Sequence, residues 1–221
     1  VTFVPYMSAI VVASMFAALM QKREIDLNKV SGSFGGDPIG MLASLGFLKG
    51  NVDEHLKKLS ELAAWNIQNM PGISAFNVDT TAYHGAGVTE TEDLAIAMST
   101  AVNYLRVMVS SGLSVNEAFK QISFTISVGM DVFQGIAKLR AARVLWSRIS
   151  EVCGVKENIG PMILNAMTAS RTLSKRDVAV NMLRSTSACF AAGLEKMSVC
   201  HKVIFTCLLT LPYDDYDYDC Q

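Results

Sequence analysis

Long apolar runs are scarce in this 221-residue sequence. The longest, Met7 to Met20, covers 14 residues and includes two serines. A membrane span needs roughly 20 apolar residues, so the stretch reads as a buried helix and no membrane contact is expected. Charge of one sign is lacking too: 19 Lys and Arg stand against 20 Asp and Glu, a net charge of −1. No basic stripe runs along the chain, which argues against a nucleic-acid partner. The opening, Val-Thr-Phe-Val-Pro, has no charged leader, so no signal peptide is read there. The five cysteines (Cys153, Cys189, Cys200, Cys207, Cys220) are odd in number and form no C-x-x-C pair. They are taken as reduced thiols of an interior compartment, cytoplasmic or, in a eukaryote, the mitochondrial matrix. A disulfide scaffold or zinc site is not expected, and no metal ligand is assigned. Gly-rich phosphate loops of the G-x-G-x-x-G or P-loop type are missing, which disfavours a free-standing nucleotide binder.

What is present is apolar surface. Hydrophobic residues make up 51% of the chain and charged residues 18%, with a mean hydropathy of +0.31. That is richer than an ordinary soluble domain, so much of the surface is meant to be covered. The length suffices for one sizeable core, or at most two small ones.

Short β-prone runs alternate with long helical periodicities. An opening helix from about Tyr6 to Lys22 precedes a strand at Val30 to Phe34 and a Gly-Gly-Asp-Pro turn at Gly35 to Pro38. A helix from about Asp53 to Gln68 stops at Pro71-Gly72, before a strand at Ile73 to Val78. The next helix starts near Thr91 and carries Leu94, Met98, Ala101, Leu105 and Met108 as a one-sided stripe. Ser114 to Glu117 fits a capping box. Strands at Ile122 to Ile126 and Met162 to Met167 flank a helix at Val132 to Val152, and Asp177 to Leu194 forms the last helix. This alternation predicts an α/β protein with about four βα units and parallel strands. The pattern fits half of a closed barrel or an open sheet. Half a barrel leaves two unpaired edges, so further strands are expected from upstream sequence or a partner.

Four collinear stretches carry a resemblance: Val30 to Gly40, Tyr83-His84-Gly85-Ala86-Gly87, Ile136 to Arg143, and Arg176 to Thr186. Together they resemble the methylmalonyl-CoA mutase barrel from about Val4 to Gly193. The resemblance implies a partial (β/α)8 TIM barrel over residues 1–195, with acyl-CoA as a possible ligand through its centre. It also implies adenosylcobalamin, carried by a separate domain of the catalytic chains. The reaction is the radical interconversion of methylmalonyl-CoA and succinyl-CoA, in which the cofactor carries the chemistry. Tyr83 and His84 match the family's Tyr-His pair just after a barrel strand, and are the catalytic candidates. A neutral histidine there would donate to the thioester carbonyl.

Other substrate patches depart from the catalytic pattern. Gly35-Gly36-Asp37 stands where catalytic chains carry Gln-Asn-Asp. Gly46-Phe47-Leu48-Lys49-Gly50 replaces an arginine-bearing segment, and Leu164 to Arg171 replaces Arg-Thr-His-x-Gln-Thr-Ser-Gly. The cobalamin signature Asp-x-His-x-x-Gly fits none of His55, His84 and His201. The pattern resembles the family's small, non-catalytic subunit, whose partner is a catalytic mutase subunit in a heterodimer. The alternative is a fragment of a catalytic mutase using Tyr83 and His84. Lys138, Arg140, Arg143 and Arg148 are read as a solvated or subunit-facing surface, with Arg143 a candidate to pair with an acid across an interface. His55 is read as a solvated helix residue. Residues 196–221 form a divergent tail, expected to be partly disordered, with an acidic, tyrosine-rich end.

Overall fold

The computed structural model describes residues 2–3, 8–155, 161–174, 176 and 178–195. Four strands, β1 (Gly32–Gly36), β2 (Ile73–Asp79), β3 (Ile122–Val128) and β4 (Ile163–Thr168), form one sheet in the order β1-β2-β3-β4. Every pairing is parallel. The helices are α1 (Ala9–Lys22), α2 (Pro38–Leu45), α3 (Val52–Asn69), α4 (Thr81–Gly85), α5 (Glu90–Ser110), α6 (Val115–Lys120), α7 (Val132–Val152) and α8 (Val178–Leu194). Consecutive strands lie side by side and helices return between them, the parallel order expected from the alternation and the half-barrel that the resemblance implies. The chain start adds to it. Thr2 bridges Ser33 in parallel and Phe3 N–H donates to the Ser33 carbonyl at 2.9 Å, so a further parallel segment borders β1.

Alternation along the strands separates two faces. On the helix side, Phe34 packs against Phe16 of α1, Phe76 against Tyr104 of α5 at 4.9 Å, and Phe124 against Trp146 of α7 at 4.9 Å. All three sheet phenylalanines are fully buried, each worth about 1.5–3 kcal/mol of transfer from water. The neighbouring positions are small and polar. Ser33 and Ser123 hydroxyls lie 2.8 Å apart, while the Ser123 and Thr125 hydroxyls donate to Asn77 Oδ1 at 3.1 and 3.2 Å. The helix layer therefore holds the apolar core, and the opposite face carries a hydrogen-bonded polar row.

Local chemistry sets the helix ends. Ser114 caps α6 in the expected capping box, with Glu117 returning to the Ser114 N–H at 2.9 Å. A second box opens α5, where Thr89 and Glu92 exchange the same pair of bonds, so this helix begins one residue before the expected Thr91. These bonds hold both glutamates below the ordinary carboxylate range. The Val132–Val152 helix has the expected bounds. β1 is displaced, running Gly32–Gly36 rather than Val30 to Phe34, because its glycines extend along β2. Two short helices were not expected. Asp37 caps α2 through the Gly40 N–H at 2.9 Å with Pro38 in its first turn, so the Gly-Gly-Asp-Pro turn continues into helix. The other is α4, directly after β2. The expected starts at Tyr6 and Asp177, and the tail from 196 to 221, lie outside the described residues. No described helix is long and apolar enough to cross a membrane.

Candidate functional site

The loops that follow β1, β2 and β4 meet at the carboxyl end of the sheet, where barrel proteins place their chemistry. Two polar assemblies are built there. The first centres on Asp37, immediately after β1. Its Oδ1 accepts from Gly40 N–H at 2.9 Å and from the Tyr104 hydroxyl, while its Oδ2 accepts from Asp79 N–H at 2.8 Å. The Tyr104 oxygen in turn accepts from Ile39 N–H at 3.2 Å. One carboxyl thus ties β1, α2, the end of β2 and α5 together. Burial pushes Asp37 up to about 6 despite those three donors. Burial, and then the Asp37 charge beside it, raise Tyr104 well above the ordinary phenol range. Asp79 is also raised by burial.

The second assembly contains the catalytic candidates. Tyr83 and His84 both sit on α4, one turn beyond β2. Tyr83 is half-buried and its phenol is raised, by burial first and Asp37 second. His84 is only 1% exposed. Its Nε2 lies 3.0 Å from Glu90 Oε1, and Nδ1 has no partner among the described residues. Glu90 opens α5 and also bonds Lys138 of α7. Burial raises the Glu90 carboxyl, but its bonds to Lys138 and His84 outweigh this and hold it below the ordinary range. Lys138 further pairs with Asp93 and donates to the Ser127 carbonyl at 2.9 Å. Arg171, from the turn after β4, closes the assembly. It donates to the carbonyls of His84 at 3.1 Å and Val88 at 2.8 Å, and reaches Glu90 at 3.3 Å.

This corrects the expectation for Lys138, which is 3% exposed and faces neither solvent nor a partner. Its place beside Leu139 and one turn from Ala142, on the inward stripe of α7, is the signal that would have revealed it. Arg143 pairs within the chain, with Glu195 Oε2 at 3.0 Å. Arg140 joins the same carboxylate at 2.6 Å, while Arg148 pairs with Glu151 on the surface. His55 of α3 is half-buried, with Nε2 2.7 Å from the Lys49 carbonyl. No group of described His, Cys, Asp and Glu residues is arranged to hold a metal ion.

The family model for methylmalonyl-CoA mutase matches residues 5–215, nearly the whole sequence. The chain belongs to the methylmalonyl-CoA mutase family. It is 39% identical over 165 residues to the methylmalonyl-CoA mutase small subunit of Streptomyces virginiae, covering 75% of this chain and 26% of that protein. It is 34% identical over 184 residues to the small subunit of Propionibacterium freudenreichii subsp. shermanii, covering 83% of this chain and 28% of that protein. The large subunit of the same bacterium is 29% identical over 163 residues, covering 72% of this chain and 22% of the large subunit. The chain thus spans about a quarter of the length of these mutase relatives. Within that mutase segment, the sequence reading missed Glu90, Asp93 and the role of Arg171 and misplaced Lys138, and together these residues fix the loop carrying Tyr83 and His84 in place.

Proposed function

We propose that this chain is part of the barrel of a small, non-catalytic methylmalonyl-CoA mutase subunit, and that it supports a catalytic subunit. The observation that carries the reading is the sequestration of His84. Its ring is buried, Nε2 is engaged by Glu90, and Arg171 pins the surrounding backbone. A histidine that polarises a thioester carbonyl must offer an N–H to the substrate. In this role Tyr83 and His84 keep the family's loop shape and act on the fold, not on the acyl group. The higher identity to small subunits than to the large subunit supports the same assignment.

Adenosylcobalamin would serve the radical chemistry of the assembled enzyme. The histidines described here do not fit it. His84 is enclosed, and neither His55 nor His84 stands in an Asp-x-His-x-x-Gly sequence. No step is derived through the group on this chain, and the catalytic partner is its proposed carrier. The second reading, a catalytic fragment, draws on the position of Tyr83 at the carboxyl end of β2, half-buried and close to Asp37.

Co-expression with the large subunit of the Propionibacterium enzyme tests the assignment. Co-elution is expected, with adenosylcobalamin retained only when the large subunit is present and turnover unchanged by His84→Ala. Cobalamin retention by this chain alone, or loss of turnover in a folded His84→Ala complex, would sink the small-subunit reading.

A further inference from the structure

On the helix side of β1 lies a cavity of about 320 Å³ that the two polar assemblies leave unfilled. Its floor is the end of β1 at Gly36, where an added Cβ would stand 2.6 Å from Leu59 Cδ2 of α3. The first turn of α1, from Ala9 to Val11, makes one wall, and Pro38 and Met41 of α2 make another. Leu48 closes a third side. The chain turns back to place it because Gly46 ends α2 in the left-handed region. His55 Nε2, 2.7 Å from the Lys49 carbonyl, then ties the returning loop to α3. The cavity is therefore shaped before any ligand arrives. It is separate from the opposite, polar face of the sheet, which is the side turned to a barrel's centre.

The lining is apolar apart from three side chains, Asp37, His55 and Lys58. Asp37 gives its oxygens to Gly40, Asp79 and Tyr104, and His55 holds the Lys49 loop. Lys58 alone is uncommitted, with no hydrogen-bond or ion-pair partner for its ammonium among the described residues. It is exposed and, with Ile10, also borders the open groove between α1 and α3, so its charge sits at the mouth in contact with water. Small-molecule sites are apolar hollows of about 300–1,000 Å³ with a few placed polar groups, and this cavity lies at the lower end. We propose that it binds a medium-chain carboxylate, the alkyl tail among Ile10, Met41, Leu48 and Leu59 and the head at Lys58. The cation selects an anionic head, and the apolar walls select an alkyl chain over a sugar or a nucleotide. A bound tail would also brace Asp37, and with it the junction of β1, α2 and α5. The site does not rest on the small-subunit reading.

Isothermal titration calorimetry of the whole 221-residue chain with sodium octanoate tests the site. Saturable binding is expected, with a rise in melting temperature as octanoate is added. Hexanoate should bind about 15-fold more weakly, since each buried methylene is worth about 4-fold. Lys58→Glu should weaken octanoate binding by about 5-fold or more. Val11→Glu, which sets a carboxylate on the α1 wall, should weaken it too, so the test does not hang on one variant. Both positions are exposed, and circular dichroism checks that the variants are folded. Val144→Glu, on the outer side of α7, should leave binding unchanged. No saturable binding at millimolar octanoate overturns the proposal. Equal affinity for octanol or for octyltrimethylammonium does so as well, as does octanoate binding that resists both variants or yields to Val144→Glu.

Discussion

Lys138 shows how much one position can hold together. Its ammonium lies among Glu90, Asp93 and the Ser127 carbonyl, joining α5, β3 and α7. Lys138→Met has a similar volume but strands two carboxylates, one of them fully buried. Removing one partner of a buried ion cluster costs about 3–5 kcal/mol, and urea unfolding should record a loss of that order. Asp37 makes a different demand. Its folded value of about 6 exceeds the ordinary 3.8, so the native state holds the proton more tightly than the unfolded chain. The stability from this proton is fully present below 3.8 and is lost as pH rises through 6. The whole effect amounts to about 3 kcal/mol. Asp79, also raised, acts in the same direction, while Glu90, held low, withdraws stability as pH falls through its own lowered range. Unfolding free energy should therefore increase as pH is lowered from 7.5 to about 5. Asp37→Asn should flatten that slope, and an unchanged slope would assign it to another group. Neither network was legible in the sequence. Tyr83 and His84 announce themselves as a motif, but Lys138 meets Glu90 across 48 residues, a separation no local pattern reports.

At the scale of elements, what could be read follows from length and regularity. The 21-residue α7 shows several turns of periodicity and was read with its observed bounds. α4, with five residues, completes little more than one turn, which leaves no period to detect. α2 was missed for another reason, since its Asp-Pro start signal was read only as a turn. Gly135 on α7 shows how closely such elements approach. A Cβ there would sit 2.8 Å from Val128 Cγ1 on β3 and 3.2 Å from Ala191 Cβ on α8. Gly135→Ala should improve helix propensity yet overpack this junction, lowering stability by about 1–3 kcal/mol. Thermal denaturation that showed a gain would mean that the Val128 side chain and α8 can both move aside.

For the molecule as a whole, the parallel βα order was legible because alternation of strand and helix admits few topologies, whereas the choice of a barrel over an open sheet came from the family resemblance. The extra parallel segment at Thr2 and Phe3 was not, because two bonded residues carry no pattern. The apolar excess noted in composition has a physical place. It lies in the core between sheet and helices, and on exposed outer faces such as those of α1 and α7.

The sheet order repeats the order of synthesis, β1-β2-β3-β4. Each of β2, β3 and β4 finds its partner in the unit made just before it, so no pairing among these four strands must wait for a distant part of the polypeptide. A ribosome releasing this chain would deliver each new strand to a waiting edge, and the nascent sheet could grow as fast as translation supplies it. The same geometry leaves the most recently added strand as the growing edge at every moment, so a pause in translation would expose one fresh row of unpaired backbone to whatever protein is nearby.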